Sequence, residues 1–189
     1  GGTWMGVNSA GQWGAVTNYR DGVPEPAARS RGELVTRFLQ QQAEPQDYLT
    51  EVAARAGEFG GFSLVLGNLD NLYYYANRRA ELQRVGDGIH TLSNHLLNTP
   101  WPKSELVRLK LNRLLHKSRL EIDELVAVLG DRQPFDDHEL PTTGVGLEME
   151  RVLSPPFICG EHYGTRCTTV LLVNNSAEAV YAEQTYLAN

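Results

Sequence analysis

The sequence predicts an α+β domain, an antiparallel sheet covered by paired helices. Three observations lead there. Apolar side chains alternate through Phe62-Ser63-Leu64-Val65-Leu66-Gly67, and the turn Asn68-Leu69-Asp70-Asn71 sends the chain back into the tyrosine-rich run Leu72 to Asn77, which makes a hairpin. Helical period arrives in pairs. Leu34, Val35, Phe38 and Leu39 are followed by Tyr48, Leu49, Val52 and Ala53; later Val107, Leu111, Leu114 and Leu115 are followed by Ile122, Leu125, Val126 and Leu129. Strands and helices come in blocks joined by hairpins, which favours antiparallel over parallel sheet.

In order, the first stretch, Gly1 to Asp21, reads as two short apolar strands around an Asn8-Ser9-Ala10-Gly11 turn, ending in the polar tip Thr17-Asn18-Tyr19-Arg20. Two prolines keep residues 21–32 a loop. Ser30 and Glu33 have capping-box spacing, so a helix is expected from there to Gln42. A second helix starts at Pro45 or Gln46 and stops near Gly57. After the hairpin of residues 61–77, a short strand is expected over Leu82–Val85 and another over Ile89–Ser93, ending at Asn94. Helices follow from Pro102, which suits a first turn, to Ser118, and from Glu121 to Leu129, where Gly130 stops the second. Residues 131–163 read as a long irregular loop. A last hairpin pairs Thr168–Val173 with Ala179–Tyr186 across Asn174-Asn175-Ser176.

The totals bound the function. The 189 residues suit one domain with a core of its own. A net charge of −6 argues against nucleic acid as a bulk partner, because phosphate binding needs a basic surface. No run approaches the ~18 apolar residues of a membrane helix. Cys159 and Cys167 are too few for a disulfide scaffold, so a cytoplasmic protein with reduced thiols is expected. The expected partner is a small-molecule ligand or substrate; no cofactor and no metal is expected, and oligomeric state is open.

Three polar quartets stand out: Thr17-Asn18-Tyr19-Arg20, Leu92-Ser93-Asn94-His95 and Tyr163-Gly164-Thr165-Arg166. Asn at a strand end can donate to a developing oxyanion, and Arg can hold a carboxylate or phosphate. Each alone is ordinary turn or surface chemistry; their convergence would make a site. Cys159, His162 and Cys167 have a ligand-like spacing but lack a fourth partner. His138 lies among acids in the long loop, where a solvated histidine is the expectation. No residue pattern supplies an activated nucleophile.

Gly1-Gly2-Thr3-Trp4-Met5-Gly6, Thr17-Asn18-Tyr19-Arg20, Ser30-Arg31-Gly32-Glu33-Leu34-Val35, Leu92-Ser93-Asn94 with Thr99-Pro100-Trp101, and Tyr163-Gly164-Thr165-Arg166 together resemble the NRDE family, the transport and Golgi organisation family of bacteria and eukaryotes. The resemblance runs along nearly the whole chain in order. It implies a branch of the N-terminal nucleophile hydrolases with a four-layer αββα sandwich and a cysteine nucleophile following the initiator methionine. This sequence holds neither that cysteine nor the Asn-Arg-Asp-Glu motif, so the resemblance implies that both lie on an N-terminal segment ahead of Gly1. Carried over residue by residue, it implies Asn18 and Asn94 as catalytic amides. Tyr19, Arg20, Arg166 and Trp4 are then substrate contacts. The reaction implied is hydrolysis of a non-peptide amide or ester through an acyl-cysteine. The alternative is a non-catalytic carrier for haem, lipid or acyl-CoA on the same fold.

Overall fold

A computed structural model describes residues 2–22, 27–160 and 163–187. These form a mixed α+β fold in two compact units, one holding the chain up to Gly88 with Leu92–Thr99, the other Ile89–Thr91 and the chain from Pro100.

The first unit is built on a five-stranded antiparallel sheet. Strands β1 (Met5–Val7), β2 (Trp13–Asn18), β3 (Phe62–Gly67), β4 (Leu72–Ala76) and β5 (Glu81–Val85) lie side by side in chain order. The β1–β2 turn is closed by Asn8, whose Oδ1 accepts from the backbone N–H groups of Ala10 and Gln12, both at 3.0 Å. Gly11 takes φ 78° there, a conformation glycine adopts without penalty. Gly14 in β2 is a close approach: a methyl group on it would meet Leu66 Cδ2 at 2.7 Å.

Every residue of β3 is buried, so the sheet is covered on both faces. Phe62, Leu64 and Leu66 join Val16 and Tyr75 under helices α1 (Gly32–Gln41) and α2 (Pro45–Ala54), which contribute Leu34, Val35, Phe38, Tyr48, Leu49 and Val52. The Tyr48 hydroxyl ends this core by donating to the Leu34 carbonyl at 2.8 Å. On the opposite face Val65, Tyr74, Ala76 and Val85 pack with Leu92, Leu96 and Leu97.

In the first unit three expectations change. The Ser30–Glu33 box does not form: Arg31 is the N-cap without a side-chain cap bond, and the Glu33 carboxylate accepts from Arg29 Nε at 3.1 Å instead. A charge-assisted pair outcompetes a cap to a neutral N–H. Residues 89–93 are not a strand; backbone carbonyls in the stretch that follows are held by side chains of the sheet rather than by a neighbouring strand. Helix α2 ends at Ala54, ahead of Gly57, and a 3-10 turn over Ala56–Glu58 follows.

The second unit holds α3 (Pro102–Leu115), α4 (Ile122–Val128), α5 (Leu147–Val152) and the hairpin of β6 (Cys167–Val173) and β7 (Ala179–Thr185). The stretch expected to be irregular loop therefore contains a helix. It also contains a 3-10 turn, Asp137–Glu139, closed by a capping box of Asp136 and Glu139. The segment is tied down by charge. Lys110 Nζ donates to Asp131 at 3.0 Å, and buried Glu150 accepts from the Thr143 hydroxyl at 2.6 Å and its N–H at 2.9 Å. No helix among the described residues is long and apolar enough to cross a membrane.

Phe38 is fully buried between the helices and the sheet. Phe38→Ala is expected to remove about 3–5 kcal/mol of stability, read from the shift in a urea denaturation midpoint. A loss below about 1 kcal/mol would show that the α1–α2 face is not the core.

Candidate functional site

Where β2 ends, its side chains alternate between the two faces. Val16 and Asn18 stand opposite Leu64 and Phe62, on the helix-covered face; Ala15 and Thr17 stand opposite Val65 and Ser63, on the other. The second face carries residues 92–99, which have no regular hydrogen-bonded structure of their own. Several of their backbone groups are satisfied from the sheet instead.

The sheet supplies those bonds. Thr17 Oγ1 donates to the Ser93 carbonyl at 2.8 Å, and the Arg20 N–H donates to the Asn94 carbonyl at 2.7 Å. Asn94 Nδ2 donates back to the Asn18 carbonyl at 3.3 Å. Ser63, fully buried in β3, donates its hydroxyl to the His95 carbonyl at 2.7 Å. With its one proton so used, Ser63 Oγ accepts from Tyr74 Oη at 3.2 Å, and Tyr74 Oη accepts from the Leu97 N–H at 3.1 Å. Burial pushes the Tyr74 phenol above its ordinary value, so it stays a donor at all working pH.

On this framework a histidine is held at both nitrogens. Tyr19 Oη lies 2.7 Å from His95 Nε2, with the rings 4.6 Å apart. His95 Nδ1 lies 2.8 Å from Thr99 Oγ1, whose hydroxyl donates to the Leu96 carbonyl at 2.9 Å. Burial pushes the His95 imidazole below its ordinary value, and the positive charges of Arg79 and Arg20 act in the same direction. At pH 7 the ring is therefore neutral.

The residues expected at the site fall as follows. Asn18 and Asn94 meet through the Asn18 carbonyl. The Asn18 side chain has its Oδ1 buried and without a hydrogen-bond partner. Tyr19 reaches His95, and Arg20 is buried beside them in sequence. Trp4 is exposed at the entry to β1, where its carbonyl accepts from the Val16 N–H at 2.8 Å. Arg166 belongs to the second unit, ahead of β6, with its carbonyl accepting from the Tyr186 N–H at 2.8 Å. Cys159 and Cys167 are exposed free thiols, and His162 lies outside the described residues. Among the described residues no group of His, Cys, Asp or Glu is disposed to hold a metal ion. Ser63 and Tyr74 are residues that sequence reasoning does not single out, and His95 and Thr99 stand in quoted motifs without a role of their own. The available signal is His95 standing next to Asn94, as Tyr19 stands next to Asn18.

The family model described as Transport and Golgi organisation 2 matches residues 1–188. The chain is similar to the Transport and Golgi organization 2 homolog of Mus musculus, 32% identical over 201 residues, covering 99% of this chain and 73% of that protein. The similarity to the Bos taurus homolog is 33% over 203 residues, covering 100% and 74%. For the Homo sapiens homolog it is 31% over 201 residues, covering 99% and 73%.

This geometry is open to two tests. Tyr74→Phe strands the buried Leu97 N–H and the Ser63 oxygen, and is expected to cost about 1–3 kcal/mol in chemical denaturation; a neutral result would mean the segment is held by its leucines alone. The second test concerns pH. The folded His95 value lies below the ordinary 6.5, so the unfolded chain binds more protons between the two. The contribution of neutral His95 is complete above the unfolded value and is lost as pH falls through the folded one. The Tm of the protein should therefore drop on acidification below about 6.5, and drop less in His95→Gln. Parallel Tm curves for the two would assign the pH dependence to other groups.

Proposed function

Since the chain belongs to the Transport and Golgi organisation 2 family, we propose that it serves an amidohydrolase of the N-terminal nucleophile type, acting on a non-peptide amide or ester through an acyl-cysteine. The proposed frame is the four-layer αββα sandwich of those hydrolases. An antiparallel sheet with a helix pair packed on one face supports it. The attacking thiol would be carried by a segment of the protein other than Gly1–Asn189.

The observation that carries the reading is the Asn18 carboxamide. A buried polar atom without a partner calls for a reason, and a bonding group supplied by a ligand is one. Half a turn about the last side-chain bond exchanges oxygen for nitrogen, so the same buried position can offer an N–H donor. An N–H donor fixed at the end of a rigid strand is what a tetrahedral oxyanion requires. Asn94 fixes the main chain at this point by donating to the Asn18 carbonyl, and so orients the donor. Arg20, Tyr19 and Trp4 are proposed as contacts to the substrate's remaining groups. The carrier reading, a pocket for haem, lipid or acyl-CoA without turnover, uses the same residues.

The test uses the full-length protein with a panel of p-nitrophenyl esters and acyl anilides. Asn18→Ala is expected to lower kcat by roughly 10²–10³, the effect of losing one oxyanion donor. Unchanged turnover in the variant would reject the assignment. No turnover by the unaltered protein, with saturable binding of haem or acyl-CoA, would establish the carrier reading in its place.

A further inference from the structure

Three side chains on the second face of the sheet make a chain of hydrogen bonds, and where the Thr99 hydroxyl donates sets the proton positions along it. Thr99 has one hydroxyl proton and lies 2.9 Å from the Leu96 carbonyl. With that proton on the carbonyl, the Thr99 oxygen accepts from His95 Nδ1–H across 2.8 Å. In that tautomer of the neutral ring Nε2 carries no proton, and the phenol of Tyr19 donates to it across 2.7 Å. We propose that Tyr19 is a reactive hydroxyl of this protein, with His95 as its base and Thr99 as the residue that sets the ring's tautomer and angle. A hydroxyl within hydrogen-bond reach of a base that a third group orients is the general signature of an activated oxygen, and the three residues satisfy it without any residue from outside this chain.

The chemistry this allows is proton transfer to and from a ligand X–H, where X is oxygen or nitrogen. The X–H proton passes to Tyr19 Oη, the phenol proton passes to His95 Nε2, and the Nδ1 proton keeps its bond to Thr99. The result is X⁻ and an imidazolium, and the reverse path restores both. Leu96 O cannot take a proton, so the chain ends at His95 and the imidazole is the base. Burial disfavours an imidazolium at rest, and the charges of Arg79 and Arg20 act in the same direction. The framework that holds the histidine is independent of its ring: the His95 carbonyl is fixed by Ser63 and the next residues by Tyr74.

Acetylation by N-acetylimidazole, mapped by peptide mass spectrometry, reads the proposal without a natural substrate and without the acyl-cysteine. Attack by the Tyr19 oxygen forms the phenyl ester, its proton goes to His95, and imidazole leaves with that proton. Tyr163, 63% exposed, is the reference in the same sample. Tyr19 is half-buried and would react more slowly than Tyr163 on access alone; the proposal expects it to react faster, with a rate that falls as acid protonates His95. His95→Gln preserves the geometry, since its Oε1 can accept from Tyr19 and its Nε2–H can donate to Thr99, but it cannot take up the proton. That variant is expected to lose about 10²-fold in Tyr19 acetylation while Tyr163 is unchanged. Equal Tyr19 rates in the two proteins, or a Tyr19 no faster than Tyr163 in the unaltered protein, would overturn the proposal. The second comparison needs no variant and stands if His95→Gln fails to fold. Turnover unchanged by Asn18→Ala, with Tyr19 reactivity intact, would leave this inference standing while the hydrolase reading falls.

Discussion

The first unit depends on one buried hydroxyl. Strand β3 is covered on both faces, yet it carries a serine in its second position, and Ser63 is fully buried. A buried hydroxyl without partners is destabilising by an amount comparable to the net worth of several hydrogen bonds. Ser63 meets this constraint by donating to the His95 carbonyl and accepting from Tyr74. In doing so it selects which stretch of chain lies on that face. Residues 92–99 have no strand partner to satisfy their backbone, and Ser63, Thr17 and Tyr74 satisfy three of those groups. The polar residues of the sheet and the irregular backbone over it are two halves of one requirement.

This explains which parts of the fold are legible in the sequence. Periodicity is a local signal. It locates the alternation of β3 and the apolar faces of α1 and α2 because those patterns reflect burial on a known period. It fails at residues 89–93, where Ile89 and Leu92 look strand-like but the Ser93 carbonyl is held by the side chain of Thr17, 76 residues away. The helix over Leu147–Val152 is hidden for another reason. It has six residues, and what secures the preceding segment is Glu150 bonding back to Thr143 rather than an apolar stripe. Ser30 with Glu33 is a correct capping pattern defeated by Arg29, four residues before Glu33, which claims the carboxylate first.

The site shows the same division. That Asn18 and Asn94 belong together is visible as two polar quartets, and the structure joins them through a main-chain carbonyl. What sequence could not supply is the face on which each side chain stands. Counting outward from the paired residues of β2 and β3 puts Asn18 with the helix core and Thr17 with residues 92–99. Tyr19 then reaches His95 on the second face. A histidine 76 residues away from a tyrosine carries no pairing signal in one sequence. Only the register, fixed by the hydrophobic alternation of β3, makes the pair visible.

That register also links stability to chemistry. The His95 main chain is anchored by a buried serine, while its ring is held by Tyr19 and Thr99 at the edge of the same network. Loosening the anchor moves the ring, but changing the ring leaves the anchor intact. The backbone bond places the imidazole, and the two ring bonds decide which nitrogen is bare. Burial, with the charges of Arg79 and Arg20 acting in the same direction, disfavours the imidazolium in the resting protein. An imidazolium would keep both ring bonds, donating from Nδ1 to Thr99 and from Nε2 to Tyr19, so pinning the loop does not depend on the ring's charge. What the charge decides is the direction of the Tyr19 bond: only the neutral ring accepts the phenol proton, and that is the bond through which a proton can move.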